Sequence, residues 1–478
     1  MPRVSRRALG YPVAMTDMRV DALDVHSPVD GRLIGRLPMA TDEDVAGSVL
    51  TAREAQPAWA ATPAAERGAA LKAAAQAIRT HAADLAKVIR SETGRPIVSA
   101  CDGVLAGAST LEQYAELGPV HGGRSLLGAH DATDLMVPEP RGVVVALTPW
   151  NDPVAVSCGL LGAALVTGNA VVHKPSERCP HTGVLLAQLM VDHFPPGVLQ
   201  SLTGDGAVGA VLASSPHVDV VAHVGGTTTG RSIAAACAAT GAKALLENGG
   251  NDPLLVDADV DPVWAAGQAA LGAFTNAGQL CTSVERIFVH RAVSGEFLAA
   301  LCEEARRWNA DPQPLVDVRL REHVHAHVAE AVADGAVPLV GGGLPERDGA
   351  YYPATVLDRC TPDMRVMREE TFGPVAPVRV VASFEEGLAE ACVDEHGLAA
   401  TVLTASMAHA QQAWRALPVG TVKVNAVFGG APGGAAQPRR KSGTGFGYGP
   451  ELLDEMTAVK VVHLGQIQPS SQASRAAS

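Results

Sequence analysis

Hydrophobic positions along this chain recur with two different periods. Thr41 and Asp44 stand three residues apart as in a helix-capping pair, and Val45, Val49, Ala52 and Trp59 follow at near-helical spacing. Thr62-Pro63 predicts a second helix start, with Leu71, Ala75, Ile78, Ala82, Leu85 and Ile89 on one face and Gly94 and Pro96 ending it. From Gly142 the period changes. Residues 143–147 are wholly apolar and mostly β-branched, as in a strand covered on both faces. A buried helix over 155–166, a strand over 169–173, a helix over 184–194 and a strand over 218–224 follow, then a helix over 231–238. A second series has strands at 254–256 and 286–289, helices at 264–274 and 295–308, and a further strand near 420–425. Alternation of this kind predicts open, mostly parallel sheets, which bind ligands beyond the carboxyl ends of their strands. Residues 429–449 read as loop, and no short internal repeat is visible.

Composition narrows the picture. A chain of 478 residues is too long for one ordinary core. It is 47% hydrophobic and only 18% charged, which suits a folded α/β protein rather than a disordered one. A net charge of −13 disfavours nucleic acid or an anionic membrane as the main partner. No run approaches the ~18 apolar residues of a membrane span. Eight cysteines without a CxxC pair or zinc spacing suit a reducing, cytoplasmic setting. The arginines near Met1 resemble a twin-arginine leader, but Tyr11, Pro12, Thr16 and Asp17 interrupt its apolar core, so a frayed basic end is expected. Residues 1–18 and 467–478 are expected to be flexible termini.

Several short stretches could carry chemistry. Gly225-Gly226-Thr-Thr-Thr-Gly230 follows a strand and opens a helix, where backbone N–H groups can meet phosphate; a tight turn explains it as readily. Cys281 follows a glycine turn, although a single cysteine is more often a buried structural one. Glu247 precedes two glycines and could act as a base, and Asn151, in an Asn-Asp-Pro turn, projects an amide beyond a strand end. His323, His325 and His327 lack a metal-binding pattern and read as an exposed helix, so no metal is expected.

In this order the motifs are specific. Pro149-Trp150-Asn151, Lys174-Pro-Ser176-Glu177, Gly225–Gly230, Glu247-Asn-Gly-Gly250, Gly278-Gln-Leu280-Cys281, Glu370-Thr-Phe372-Gly-Pro and Gly420-Thr-Val-Lys-Val-Asn425 resemble the aldehyde dehydrogenase superfamily over about residues 25–465. The resemblance implies a Rossmann-like, open parallel-sheet cofactor domain (19–121 and 142–248). An α/β catalytic domain (249–445) and a small β oligomerisation arm (122–141 and 458–466) complete it. Cys281 matches the nucleophile, Glu247 the base that activates water, and Asn151 the oxyanion donor. Thr148, Pro149, Trp150, Lys174, Ser176, Glu177, Gly206, Gly225, Gly226, Gly230, Glu370 and Phe372 match cofactor contacts. A carboxylate at Glu177 accepts ribose hydroxyls and repels a 2′-phosphate, which favours NAD over NADP. The expected partners are a small aldehyde and further copies of the chain, as a homodimer or homotetramer.

Departures fall near the substrate. Asn248 and Asn251 replace the family's usual Leu and Lys, and Gly226 stands where Ser is usual. Asp152 makes one wall of the substrate mouth polar. It is expected to line that channel with Gly159, Leu280, Thr282 and Phe428. Arg439-Arg440-Lys441, in place of the usual Pro-Phe-Gly-Gly stretch, suggests a carboxylated or phosphonylated aldehyde as a minority reading. The rivals are a CoA-acylating relative, which generally lacks the deacylating glutamate, and a non-catalytic member, which should have lost one of the three catalytic groups.

Overall fold

The computed structural model describes residues 21–430 and 434–466; the two expected flexible termini lie outside them. The capping box is as read: Thr41 and Asp44 bond reciprocally at the start of helix Asp42–Ala61. Trp59 on that helix donates its indole N–H to Leu165 O at 2.9 Å, fastening the helix to the first sheet's layer.

The expected single helix from Thr62-Pro63 to Gly94 is two, Ala64–Thr80 and Ala82–Thr93, broken at His81. Gly94 closes the second in a left-handed cap, as expected. A long helix not anticipated from the pattern, Ile97–Leu117, follows. Its Gly103 and Gly107 weaken the helical signal but permit close packing. A Cβ at Gly107 would lie 3.0 Å from Val154 O and 3.2 Å from Cys158 Sγ on the Pro153–Val166 helix.

Two sheets form the body of the molecule. The first has the order Gly443–Thr444, Lys243–Glu247, Val220–Val224, Val143–Thr148, Ala170–Pro175, Leu199–Ser201, parallel except for the first strand. Every residue of Val143–Thr148 and Ala170–Pro175 is buried, which is why 143–147 and 170–172 read as unbroken apolar runs. The chain runs outward through 170–175 and 199–201, then returns to the opposite side of 143–148. This reversal leaves a crevice between the ends of Val143–Thr148 and Val220–Val224. The second sheet has seven strands in the order Val337–Val340, Thr355–Asp358, Val375–Val381, Val284–His290, Asp252–Val256, Ala399–Leu403, Thr421–Val424. It too is parallel apart from its first strand.

The stretch 429–449, read as loop, contains the short strand Gly443–Thr444, which joins the first sheet beside Glu247. A third, three-stranded sheet of Arg124–Leu126, Thr133–Pro140 and Thr457–Leu464 stands apart. Among the described residues no helix is long and apolar enough to cross a membrane.

Candidate active site

Two loops meet ahead of strands Val284–His290 and Val375–Val381, and each carries strained backbone. The Cys281 loop begins with Asn276, Ala277 and Gly278, all left-handed at φ 53°, 55° and 73°. A Cβ at Gly278 would sit 2.1 Å from Gly373 O, so this position requires glycine. Phe372 (φ 52°) supplies the strained residue of the other loop. A left-handed non-glycine residue costs about 1–2 kcal/mol and persists only where packing over-determines it, commonly at functional sites.

Specific bonds fix the turn. Gln279 donates to Asn276 O at 2.8 Å and accepts from Val316 N at 2.8 Å. Asn151 donates an amide N–H to Gln279 O at 3.1 Å, tying its side chain to the backbone two residues before Cys281. A second amide hydrogen remains for another acceptor. The Asn151 carbonyl in turn accepts from Arg95 at 3.1 Å.

Cys281 is exposed as a residue, unlike the buried cysteine that a lone thiol suggests, although the protein around its thiol desolvates it. Desolvation, followed by the carboxylates of Glu247, Asp252 and Glu370, pushes the thiol's pKa up to about 12. The resting group is therefore the thiol, and attack requires removal of its proton. Glu247 ends the Lys243–Glu247 strand, and its carbonyl accepts from Gly225 N at 3.0 Å. Burial raises its carboxyl pKa, opposed by the backbone N–H of Gly447. A Cβ at Gly447 would strike that carboxylate at 2.2–2.4 Å, so the glycine leaves room for the side chain.

A cavity of about 690 Å³ fills the crevice of the first sheet. Thr148, Pro149, Trp150, Lys174, Ser176, Glu177, Gly206, Gly225 and Gly226 line it. Lys174 donates to Pro175 O at 3.0 Å and Gly204 O at 2.7 Å, which leaves one ammonium hydrogen unassigned. Burial lowers its pKa, with Glu177 and Asp205 acting in the opposite sense. Trp150 meets Phe372 edge to face at 5.6 Å and carries the Arg178 guanidinium over its other side at 5.3 Å. Glu370 accepts from Gly250 N at 3.0 Å, and burial raises its pKa to about 7. Neither Glu370 nor Phe372 lines this cavity; both stand on the second sheet's side of the crevice. Gly230, expected as a cofactor contact, stands inside the helix that follows the glycine turn. It is buried and does not line the cavity, and a Cβ there would lie 2.0 Å from Asn248 Oδ1, so the glycine lets the helix pack against Asn248.

The substrate-side residues are more dispersed. Leu280 and Thr282 flank Cys281 and are half-buried, as is Phe428. Gly159 is buried with open space where its side chain would be. Asp152 is turned against Arg95, 3.0 Å away, and into the space left by Gly103; it is a paired carboxylate rather than a free polar wall. Arg440 bonds the carbonyls of Cys392 and Asp394, and Lys441 pairs with Glu395, so both are engaged locally. The His323–His327 helix is not simply exposed. His327 is fully buried with Nδ1 3.2 Å from Thr371 Oγ1, and the described residues contain no group able to hold a metal.

Three residues went unnoticed in the sequence. Glu285, fully buried, accepts from Thr371 N at 3.1 Å and Phe372 N at 3.0 Å and anchors that loop. Asp252 lies behind Cys281: a Cβ at Gly250 would touch both Asp252 Oδ1 and Cys281 O. Lys423 bonds Val427 O at 2.6 Å and stands 5.6 Å from the Phe428 ring. A charged residue inside the short strand Thr421–Val424 is the available signal for Lys423.

The comparisons agree with this arrangement. The family model described as the aldehyde dehydrogenase family matches residues 15–462. A betaine aldehyde dehydrogenase from Cereibacter sphaeroides is 35% identical over 456 residues, covering 92% of each chain. The crystal structure of lactaldehyde dehydrogenase from Escherichia coli superposes with a TM-score of 0.91 at 31% identity, covering 94% of this chain and 97% of that one. A betaine aldehyde dehydrogenase from Staphylococcus aureus, solved in complex with NAD+, gives 0.91 at 29% identity, covering 94% and 93%. From its strained cysteine turn to its two parallel sheets, the chain belongs to the aldehyde dehydrogenase family.

Proposed function

We propose that the protein oxidises an aldehyde to the carboxylic acid with NAD as hydride acceptor. The single observation that carries the reading is the Asn151 amide bonded to the backbone of the Cys281 turn, with the Glu247 carboxylate at the end of Lys243–Glu247 acting on the same thiol. Cys281 loses its proton and its sulfur attacks the aldehyde carbon. The resulting oxyanion is held by the free Asn151 N–H and the Cys281 backbone N–H. NAD, when bound, supplies the acceptor for the hydride that leaves this carbon. The product on the protein is a thioester. Glu247 then takes a proton from water, which attacks the thioester and releases the acid and the thiol. Overall, aldehyde, NAD+ and water become acid, NADH and a proton.

The cavity's donors suit a dinucleotide: an uncapped helix end beside Gly225-Gly226 for phosphate, and Lys174 with Glu177 for ribose hydroxyls. Arg178 is paired with Asp317 at 3.0 Å, so Glu177 dominates the charge facing a ribose and NAD is preferred to NADP. Residues 19–121 with 142–248 form the cofactor domain in this reading, 249–445 the catalytic domain, and 122–141 with 458–466 the arm through which copies associate. The eight free cysteines fit the cytoplasm. Glu247 favours hydrolysis over transfer of the acyl group to CoA.

NADH formation followed at 340 nm, across aliphatic, aromatic and acidic aldehydes with NAD and NADP, tests the reading. It expects turnover with NAD, little with NADP and none in Cys281→Ala. Absence of NADH formation with every aldehyde class, or full activity in Cys281→Ala, contradicts it.

A further inference from the structure

Below the glycine turn at the end of Val220–Val224, buried polar atoms have no partners. His223 is only 8% exposed, yet neither Nδ1 nor Nε2 has a hydrogen-bond partner among the described residues. Thr227 Oγ1, in the next helix's first turn, is likewise unpaired. A buried donor or acceptor left unsatisfied costs about 1–3 kcal/mol, so two orphan nitrogens on one ring call for an occupant. The ring lines the 690 Å³ cavity.

Its surroundings define the occupant's charge. Helix Thr227–Thr240 starts from Gly226 without any side-chain cap, so its first N–H groups and positive end face the same turn. A Cβ at Gly225 would lie 2.7 Å from His223 Cε1 and 2.9 Å from Nε2. The missing side chain therefore lets the ring's Nε2 edge come up against the turn. Burial lowers the imidazole pKa to about 4, opposed by a weaker interaction with the Gly226 backbone that lies outside hydrogen-bond geometry, so the resting ring is neutral and carries one N–H to donate. At Gly226, where the family usually has Ser, the space beyond the Cα is open and φ is −69°, so nothing in the backbone excludes a side chain.

We propose that His223 is a cofactor-binding residue, whose imidazole N–H donates to a pyrophosphate oxygen of the dinucleotide and replaces a contact that a hydroxyl at position 226 would make. The assignment rests on the NAD reading above. It predicts an exchange within one turn: a donor on the strand at 223 in place of one on the helix cap at 226.

Fluorescence titration with NADH and calorimetric titration with ADP-ribose and adenosine test this without turnover. His223→Phe is expected to weaken NADH and ADP-ribose about tenfold while adenosine changes less than twofold. The double variant His223→Phe/Gly226→Ser is expected to recover to within threefold of wild type. Should the phenylalanine variant melt early, His223→Leu provides the same comparison with a smaller side chain that also lacks a donor. Unchanged NADH affinity, equal loss for adenosine, or no recovery in the double variant overturns the proposal. A wild-type protein that binds no NADH overturns the NAD reading itself, whereas tight binding unaffected by the substitution removes only the role of His223.

Discussion

Desolvation, followed by three nearby carboxylates, raises the Cys281 thiol pKa to about 12, so its reactivity has to come from neighbours that act during the reaction. Asn151 is one such neighbour. Its amide is positioned by Gln279 O before any substrate arrives, so little reorganisation accompanies the appearance of negative charge. Asn151→Ala should lower kcat by about 10²–10³, the usual cost of one oxyanion donor, with a smaller effect on the aldehyde KM. Steady-state and single-turnover kinetics together check this; an unchanged kcat contradicts it. Glu247 has a raised pKa through burial, and only its ionised form can accept a proton from water. The deacylation rate should therefore rise with pH as Glu247 ionises, and Glu247→Gln should remove that limb of the profile.

At the scale of elements, the site depends on loops held by buried contacts. Glu285 on the Val284–His290 strand fixes residues 371–372, and desolvation, followed by the charge of Glu370, raises its pKa to about 8. A carboxyl whose folded pKa lies above its unfolded value of about 4.3 binds its proton more tightly in the fold. Its contribution is full below that unfolded value and is lost as pH rises through about 8. The Tm difference between wild type and Glu285→Gln should thus shrink from pH 5 to pH 8; parallel Tm profiles contradict the assignment. Gly278→Ala should cost more than an ordinary surface change, roughly 2 kcal/mol or more, because Gly373 O occupies the Cβ position and φ is positive. Denaturant unfolding measures it.

These same elements mark what was legible in the sequence. The buried strands at 143–148 and 170–175 and the Thr41–Asp44 cap were readable because composition and local bonding determine them. The order of motifs likewise pointed to Cys281, Glu247 and Asn151. The Ile97–Leu117 helix escaped notice because the glycines that let it pack closely also lower its helical signal. Glu285, Asp252 and His223 were not legible as site residues, since their roles come from which loop lies opposite them. Nor was the pairing of Asp152 with Arg95, far away in sequence, legible there.

For the whole molecule, the three-stranded arm presents apolar side chains to solvent. Val459 and Val461 share one face of Thr457–Leu464 and are 60% and 66% exposed. Exposed apolar residues in sequence-alternating positions on a strand suit coverage by another copy of the chain. Val459→Asp/Val461→Asp should shift the protein toward monomer in light scattering coupled to size exclusion; an unchanged mass contradicts an arm-mediated assembly.

The central claim, that Cys281 carries the acyl group and Glu247 discharges it, is tested most directly by rapid quench of Glu247→Gln with NAD and an aldehyde substrate, followed by peptide mass spectrometry. The account predicts a burst of one NADH per active site and an acyl adduct confined to Cys281. A burst with no adduct on Cys281, or an adduct on another residue, would contradict it.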